Sequence, residues 1–145
     1  FIGTRVFGEC KSLKTVILSS LITKISQYSF NNCSSLVEIL IPSSVVQISK
    51  FAFNGCKSLN KITFESPSLL AAISDHYFYD CDSLQYVSIP SSIIIIESKA
   101  FGNYHSLNQA EIPISIIELE DGAFEGCPLL QLKKDQLENG FCNLS

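Results

Sequence analysis

The motif F-x-x-C-x-x-L returns six times along the chain in nearly the same words, anchored at Phe7, Phe30, Phe53, Phe78, Phe101 and Phe124. Successive anchors lie 23, 23, 25, 23 and 23 residues apart. A fixed period in this range marks a solenoid, in which one supersecondary unit is stacked in series because no single copy can bury its apolar face alone. Most conspicuous residues therefore recur for packing reasons. Functional information has to be sought where the repeats differ.

Within a repeat, the position three after Phe holds Cys10, Cys33, Cys56, Cys81, Tyr104 and Cys127, and three further on stand Leu13, Leu36, Leu59, Leu84, Leu107 and Leu130. Spacings of i, i+3 and i+6 put all three on one side of a helical or 3₁₀-like turn, so short helical corners are predicted. The Leu then opens L-x-x-[VI]-x-[LIF], as in Leu36, Ile39, Ile41 and Leu59, Ile62, Phe64. Its terminal period of two predicts a short strand with one buried face, often closed by Pro42, Pro90 or Pro113, which cannot continue a ladder. A second apolar pair precedes each Phe by eight and five residues, as in Val45 with Ile48 and Ile93 with Ile96, and predicts an extended segment on the opposite wall. The fold class expected is α/β: a strand-rich solenoid of about six 23-residue repeats. The one irregular period is assigned to a loop within Glu65 to Ala72. The column Val46, Ala71, Ile94, Ile117 either faces outward as an apolar strip or inward, and core is the favoured placement.

With 145 residues and 46% hydrophobic content, the chain supports one continuous core. Its net charge of -4 and its ten scattered Lys and Arg residues provide no basic stripe, which argues against nucleic acid and anionic membrane surfaces. No apolar run approaches the roughly 20 residues that span a bilayer, and no basic segment followed by an apolar one opens the chain. A sequence starting at Phe1, with a motif Phe only a few residues in, is expected to be a fragment of a longer array with an open amino edge. Lys133 and Asp135 stand where the strand would need aliphatics, so 1–132 is expected to be the solenoid and 133–145 a carboxy-terminal cap or tail.

The string I-x-x-x-A-F-x-x-C-x-S-L-x-x-I-x-I-P runs almost letter for letter over Ile25 to Pro42 and over Ile48 to Pro67. It resembles the BspA-type leucine-rich repeats of bacterial and parasitic-protist surface proteins, and the resemblance covers residues 2 to 132. It implies a right-handed, horseshoe-like solenoid with strands lining one face, found largely in surface antigens that adhere to host proteins or other cells. One departure is the asparagine that many leucine-rich repeats place after the strand. Here that position holds Ser44, Ser92 or Ser115, and Leu21 or Pro67 elsewhere, so no asparagine ladder is expected.

Five of the six cysteines share one repeat position and none forms a C-x-x-C pair, so a ladder of buried free thiols is expected rather than zinc or disulfides. Cys142 lies outside it as a candidate exposed thiol. Run Ser74 to Asp80, which holds His76, is the one dense polar cluster, but sequence neighbours point in different directions and make no triad; it is assigned to a polar corner with exposed aromatics. The sequons at Asn32 and Asn143 are only weakly compatible with secretion. No catalytic residues, metal or cofactor are assigned.

Binding is assigned to the outward strand positions, which vary while the inward ones repeat: Thr15, Glu38, Lys61, Tyr86 and Gln109, then Ile17, Leu40, Thr63, Ser88 and Glu111. The competing view is a merely solvated sheet with a Glu38 to Lys61 cross-strand pair. The expected function is a non-enzymatic protein-binding or adhesion module of a cell-surface or extracellular protein. The alternative is a cytoplasmic scaffold or regulatory subunit. The expected partner is a host matrix or cell-surface protein, with self-association possible.

Overall fold

The computed structural model describes residues 1–128 and 130, and shows a strand-rich solenoid with two walls around one core. The segment 133–145, with Cys142 and the Asn143 sequon, lies outside the described residues. One wall carries β2 (Glu38–Ile41), β4 (Lys61–Phe64), β6 (Tyr86–Ser88) and β8 (Gln109–Glu111). The other carries β1 (Lys24–Ile25), β3 (Gln47–Ile48), β5 (Ala72–Ile73), β7 (Ile95–Ile96) and β9 (Glu118–Leu119). Every strand pairing is parallel and links equivalent repeat positions, as in Ile39 opposite Ile62 and Val87 opposite Ala110.

The core is the set of columns visible in the sequence. Phe30, Phe53, Phe78 and Phe101 are fully buried. The six motif rings stack from Phe7 to Phe124 with centroids 5.2, 5.1, 5.4, 5.8 and 5.2 Å apart. Beneath them four of the five described thiols donate to the Phe carbonyl of the preceding coil: Cys33 to Phe7 at 3.0 Å, Cys56 to Phe30 at 3.1 Å, Cys81 to Phe53 at 3.3 Å and Cys127 to Phe101 at 3.1 Å. All five described cysteines are free thiols.

The helical corner is not what forms. Among the described residues there is no helix, so the α/β expectation gives way to strands and turns. Two residues per corner adopt left-handed backbone conformations, two before and two after each Phe: Tyr28 (φ 59°) and Asn32 (φ 56°), Phe51 (φ 60°) and Gly55 (φ 73°), Lys99 (φ 53°) and Asn103 (φ 64°). A helix needs consecutive right-handed residues, and each left-handed one ends the run. The reversal turns Phe30 N–H toward the Ala52 carbonyl and Asn32 N–H toward the Asn54 carbonyl, both at 2.8 Å. Corner backbone bonds thus run between coils, while turn bonds such as Leu36 N–H to the Cys33 carbonyl (3.0 Å) close each coil locally.

Where an asparagine ladder is missing, a serine ladder stands in. Ser44, Ser92 and Ser115 hydroxyls donate to the carbonyls of Ile22, Leu70 and Ile93 at 2.7, 2.7 and 2.8 Å. The second wall corrects another expectation. Val46, Ile94 and Ile117 are 53%, 38% and 77% exposed, and Ala71 is exposed between them, so this column faces outward rather than into the core.

Burial pushes the Cys33 and Cys127 thiols up to about 11 and Cys81 to about 12, and raises Cys56 as well. These values lie above the unfolded 9.0, so the protonated ladder contributes its stability fully below pH 9 and loses it as pH rises toward 11 and 12. Thermal melts of the parent are expected to fall above pH 9, and a Cys33→Ala/Cys81→Ala variant to show a shallower alkaline loss. Among the described cysteines, only exposed Cys10 is expected to react with Ellman's reagent before unfolding.

Tyr104 replaces one rung, and its buried hydroxyl meets no oxygen or nitrogen partner among the described residues, only the Cys81 thiol beside it. Tyr104→Phe keeps the ring and removes that desolvated group, so a gain of about 1 kcal/mol is expected in chemical denaturation.

Candidate functional strand face and its seam

Alternation along the first wall decides which side chains reach solvent. In β2, Ile39 and Ile41 point inward while Glu38 and Leu40 point outward, and β4, β6 and β8 repeat the pattern. All ten assigned positions are exposed, including Ile17 at 98%, Leu40 at 51% and Tyr86 at 43%. Register sets Glu38 against Lys61, Leu40 against Thr63, Tyr86 against Gln109 and Ser88 against Glu111. Glu38 and Lys61 face each other without closing an ion pair among the described residues.

Three assigned residues form one polar cluster. The Ser88 hydroxyl donates to Glu111 Oε2 at 2.9 Å. Glu111 also accepts from the Tyr86 phenol, which holds its proton and raises its pKa.

The irregular period creates a feature that residue patterns alone leave hidden. No backbone hydrogen bond links β4 to β6, or β3 to β5, among the described residues. The serine bridge also lapses here, because Pro67 stands at the position that Ser44, Ser92 and Ser115 hold in other coils, while Ser68 accepts from the nearby Leu70 N–H at 3.2 Å. The backbone bonds that cross the gap come from the Phe corner, Phe53 N–H to the Tyr77 carbonyl (3.1 Å) and Gly55 N–H to the Tyr79 carbonyl (2.9 Å), and the Ser83 hydroxyl adds a bond to the Lys57 carbonyl (2.7 Å). The seam opens a cleft of about 740 Å³ on the strand face, lined by Asn60, Lys61, Thr63, Phe64, Tyr86 and Ser88. It joins Lys61 and Tyr86, neighbours in one outward column but on separate coils, into one concave patch. Asn60, Phe64 and the Glu65 to Ser68 rim were not assigned from sequence, although the extra two residues were their signal. On that rim, hydrogen bonds from the Ser43 N–H and hydroxyl, both 2.9 Å, lower the Glu65 pKa.

The His76 cluster behaves differently from expectation. Its aromatics are not exposed: Tyr77 and Phe78 are buried, and His76 is half-buried with its ring 4.8 Å from both Phe51 and Tyr79. Asp75 bonds the imidazole, and no hydroxyl or thiol nucleophile bonds to it among the described residues. The Asn32 amide donates to Glu9 at 2.7 Å, which engages the first sequon's acceptor nitrogen. No described helix is long and apolar enough to cross a membrane.

The model of the BspA type leucine rich repeat region matches residues 1–131 in six copies. A leucine rich repeat protein of T. pallidum is 36% identical and superposes with a TM-score of 0.70, over 75% of this chain and 50% of its own. A leucine rich cell surface protein from Faecalibacterium prausnitzii A2-165 is 26% identical, with TM-score 0.51, over 90% of this chain and 49% of its own. A leucine-rich repeat protein from Bacteroides ovatus ATCC 8483 is 27% identical, with TM-score 0.55, over 75% and 34%. The chain thus spans half or less of each of these structures. It matches none of the curated proteins. Six matched copies, an uninterrupted Phe ladder, a thiol column broken only at Tyr104 and repeat-built relatives lead to one conclusion: this chain belongs to the BspA-type leucine-rich repeat family.

Proposed function

We propose that this chain is a non-enzymatic protein-binding and adhesion module of a cell-surface protein, engaging host matrix or cell-surface proteins through its strand face. The curvature implied by the family, a right-handed horseshoe, would present that face as one extended surface. The supporting observation is the contrast between columns. Inward positions repeat Phe, Cys, Leu and Ile, while the outward ones change from Glu38 to Lys61 to Tyr86, the last two lining a seam cleft. Repeat scaffolds bind through many shallow contacts on such surfaces, with a few aromatic or charged anchors supplying most of the energy.

Replacing Lys61, Tyr86 and Glu111 together by alanine tests this. Against a partner identified from purified matrix and cell-surface proteins, the triple variant is expected to bind at least about tenfold more weakly with an unchanged melting temperature. Unchanged affinity would remove the strand face from the interaction. The free thiols favour one other reading, a scaffold in a reducing compartment. Localisation of the full-length protein separates the two.

A further inference from the structure

The second wall carries an exposed surface that the strand-face proposal leaves unused. Its apolar column Val46, Ala71, Ile94, Ile117, begun by Thr23, runs beside a second column, Lys24, Gln47, Ala72, Ile95, Glu118, in which Gln47 and Glu118 are exposed and the others half-buried. Backbone bonds from Ile94 N–H to the Ala71 carbonyl and from Ile117 N–H to the Ile94 carbonyl, both 2.9 Å, hold its upper half rigid. Leu21, Leu69 and Ile114, 85%, 61% and 97% exposed, lie on the turns that lead into this wall. Scattered single apolar residues need no account, but a contiguous column of this kind marks an interface.

Charge on this wall is split by height. Lys24 lies low, with Lys50 one coil above it; Glu118 lies high, flanked by Glu97 and Glu120. Neither Lys24 nor Glu118 has an intrachain ion-pair partner among the described residues. The small residues Ala71 and Ala72 occupy the middle coil.

We infer that this wall docks a second copy of the chain, antiparallel, about a two-fold axis passing near Ala71 and Ala72. An isologous contact requires a surface complementary to its own rotated image, and here rotation sets Lys24 against Glu118 of the second copy at both ends. Val46 then meets Ile94, Thr23 meets Ile117, and the two alanine pairs allow close approach at the centre. A same-direction pairing would oppose Lys24 to Lys24 and Glu118 to Glu118, which repels. An anionic lipid surface is disfavoured by the acidic upper half. A stable interface takes about 800 Å² from each partner, roughly a tenth of this chain's 7598 Å². The dimer leaves both strand faces free on the far sides of the two cores, so a surface with repeated epitopes would be gripped bivalently.

Sedimentation equilibrium of the chain from about 1 to 500 μM, a range suited to interfaces of modest size, tests this. A reversible dimer is expected, and Ile117→Lys is expected to be monomeric with an unchanged melting temperature. Lys24→Glu and Glu118→Lys should each weaken the dimer about tenfold, and the doubly reversed chain should recover to within about threefold, since only the antiparallel register restores both pairs. A monomer throughout, a dimer untouched by Ile117→Lys, or a double reversal no tighter than the single ones would overturn the inference. So would dissociation caused by the Lys61, Tyr86 and Glu111 triple alanine variant, which would move the contact to the strand face.

Discussion

Phe53→Ala is expected to cost about 3–5 kcal/mol and to split a single unfolding transition into two. The ring is fully buried and stacks at 5.1 Å on Phe30 and 5.4 Å on Phe78. Truncation removes its transfer energy and leaves a cavity between two stiff neighbours. Position matters as much as chemistry here, because stability in a solenoid is a sum over nearest-neighbour interfaces. At the seam both walls lack cross-coil backbone bonds, so the Phe corner is the continuous backbone link between the two halves. Phe101→Ala removes an equally buried ring, but β5–β7–β9 and β6–β8 still tie the coils around it. That variant is expected to lose similar stability yet remain cooperative. Urea unfolding followed by far-UV circular dichroism checks both, with a lowered m-value or a plateau expected only for Phe53→Ala. Equal m-values would show that the seam does not uncouple the halves.

The second large effect concerns the corner. Gly55 lies at φ 73°, and a Cβ placed there would come within 2.2 Å of Asn32 Oδ1. Gly55→Val forces a β-branched residue into the left-handed region and displaces the Asn32 amide from Glu9, for a loss of about 2–4 kcal/mol. Gly55→Asn meets the same Asn32 contact through its Cβ but not the backbone strain, because asparagine tolerates left-handed geometry, so it is expected to cost about 1 kcal/mol less than Gly55→Val. Asn32 and Asn103 already hold this position in other coils, at φ 56° and 64°. Thermal denaturation of the two variants side by side checks this. Equal losses would mean that the clash, and not the backbone angle, controls the site.

The column two before each Phe shows why the corner was misread. Besides His76 and Gly122 it holds Arg5, Tyr28, Phe51 and Lys99 with φ between 53° and 60°, residues with no sequence preference for a left-handed turn. Interactions between coils help hold them there: the Arg5 guanidinium lies 4.9 Å from the Tyr28 ring centre, and Tyr28 stacks on Phe51 at 5.2 Å. A window along one repeat contains neither partner. The i, i+3, i+6 spacing of Phe, Cys and Leu correctly placed them on one side, but a chain of reversing turns satisfies that spacing as well as a helix does.

From sequence alone came the period, the two extended walls, the identity of the buried columns and the ten outward strand positions. These follow from local alternation and repetition, which translational stacking must preserve coil after coil. The tertiary structure decided what depends on neighbouring coils: the left-handed corners, the outward turn of Val46, Ile94 and Ile117, the serine bridges, and the seam. Two extra residues were visible between Glu65 and Ala72, and a loop there was expected to leave the core undisturbed. The Phe and thiol columns do run through unbroken. The strand pairing on both walls nevertheless parts at that point, because parallel strands pair only when successive coils rise in register, and that registration belongs to the stack rather than to any one repeat.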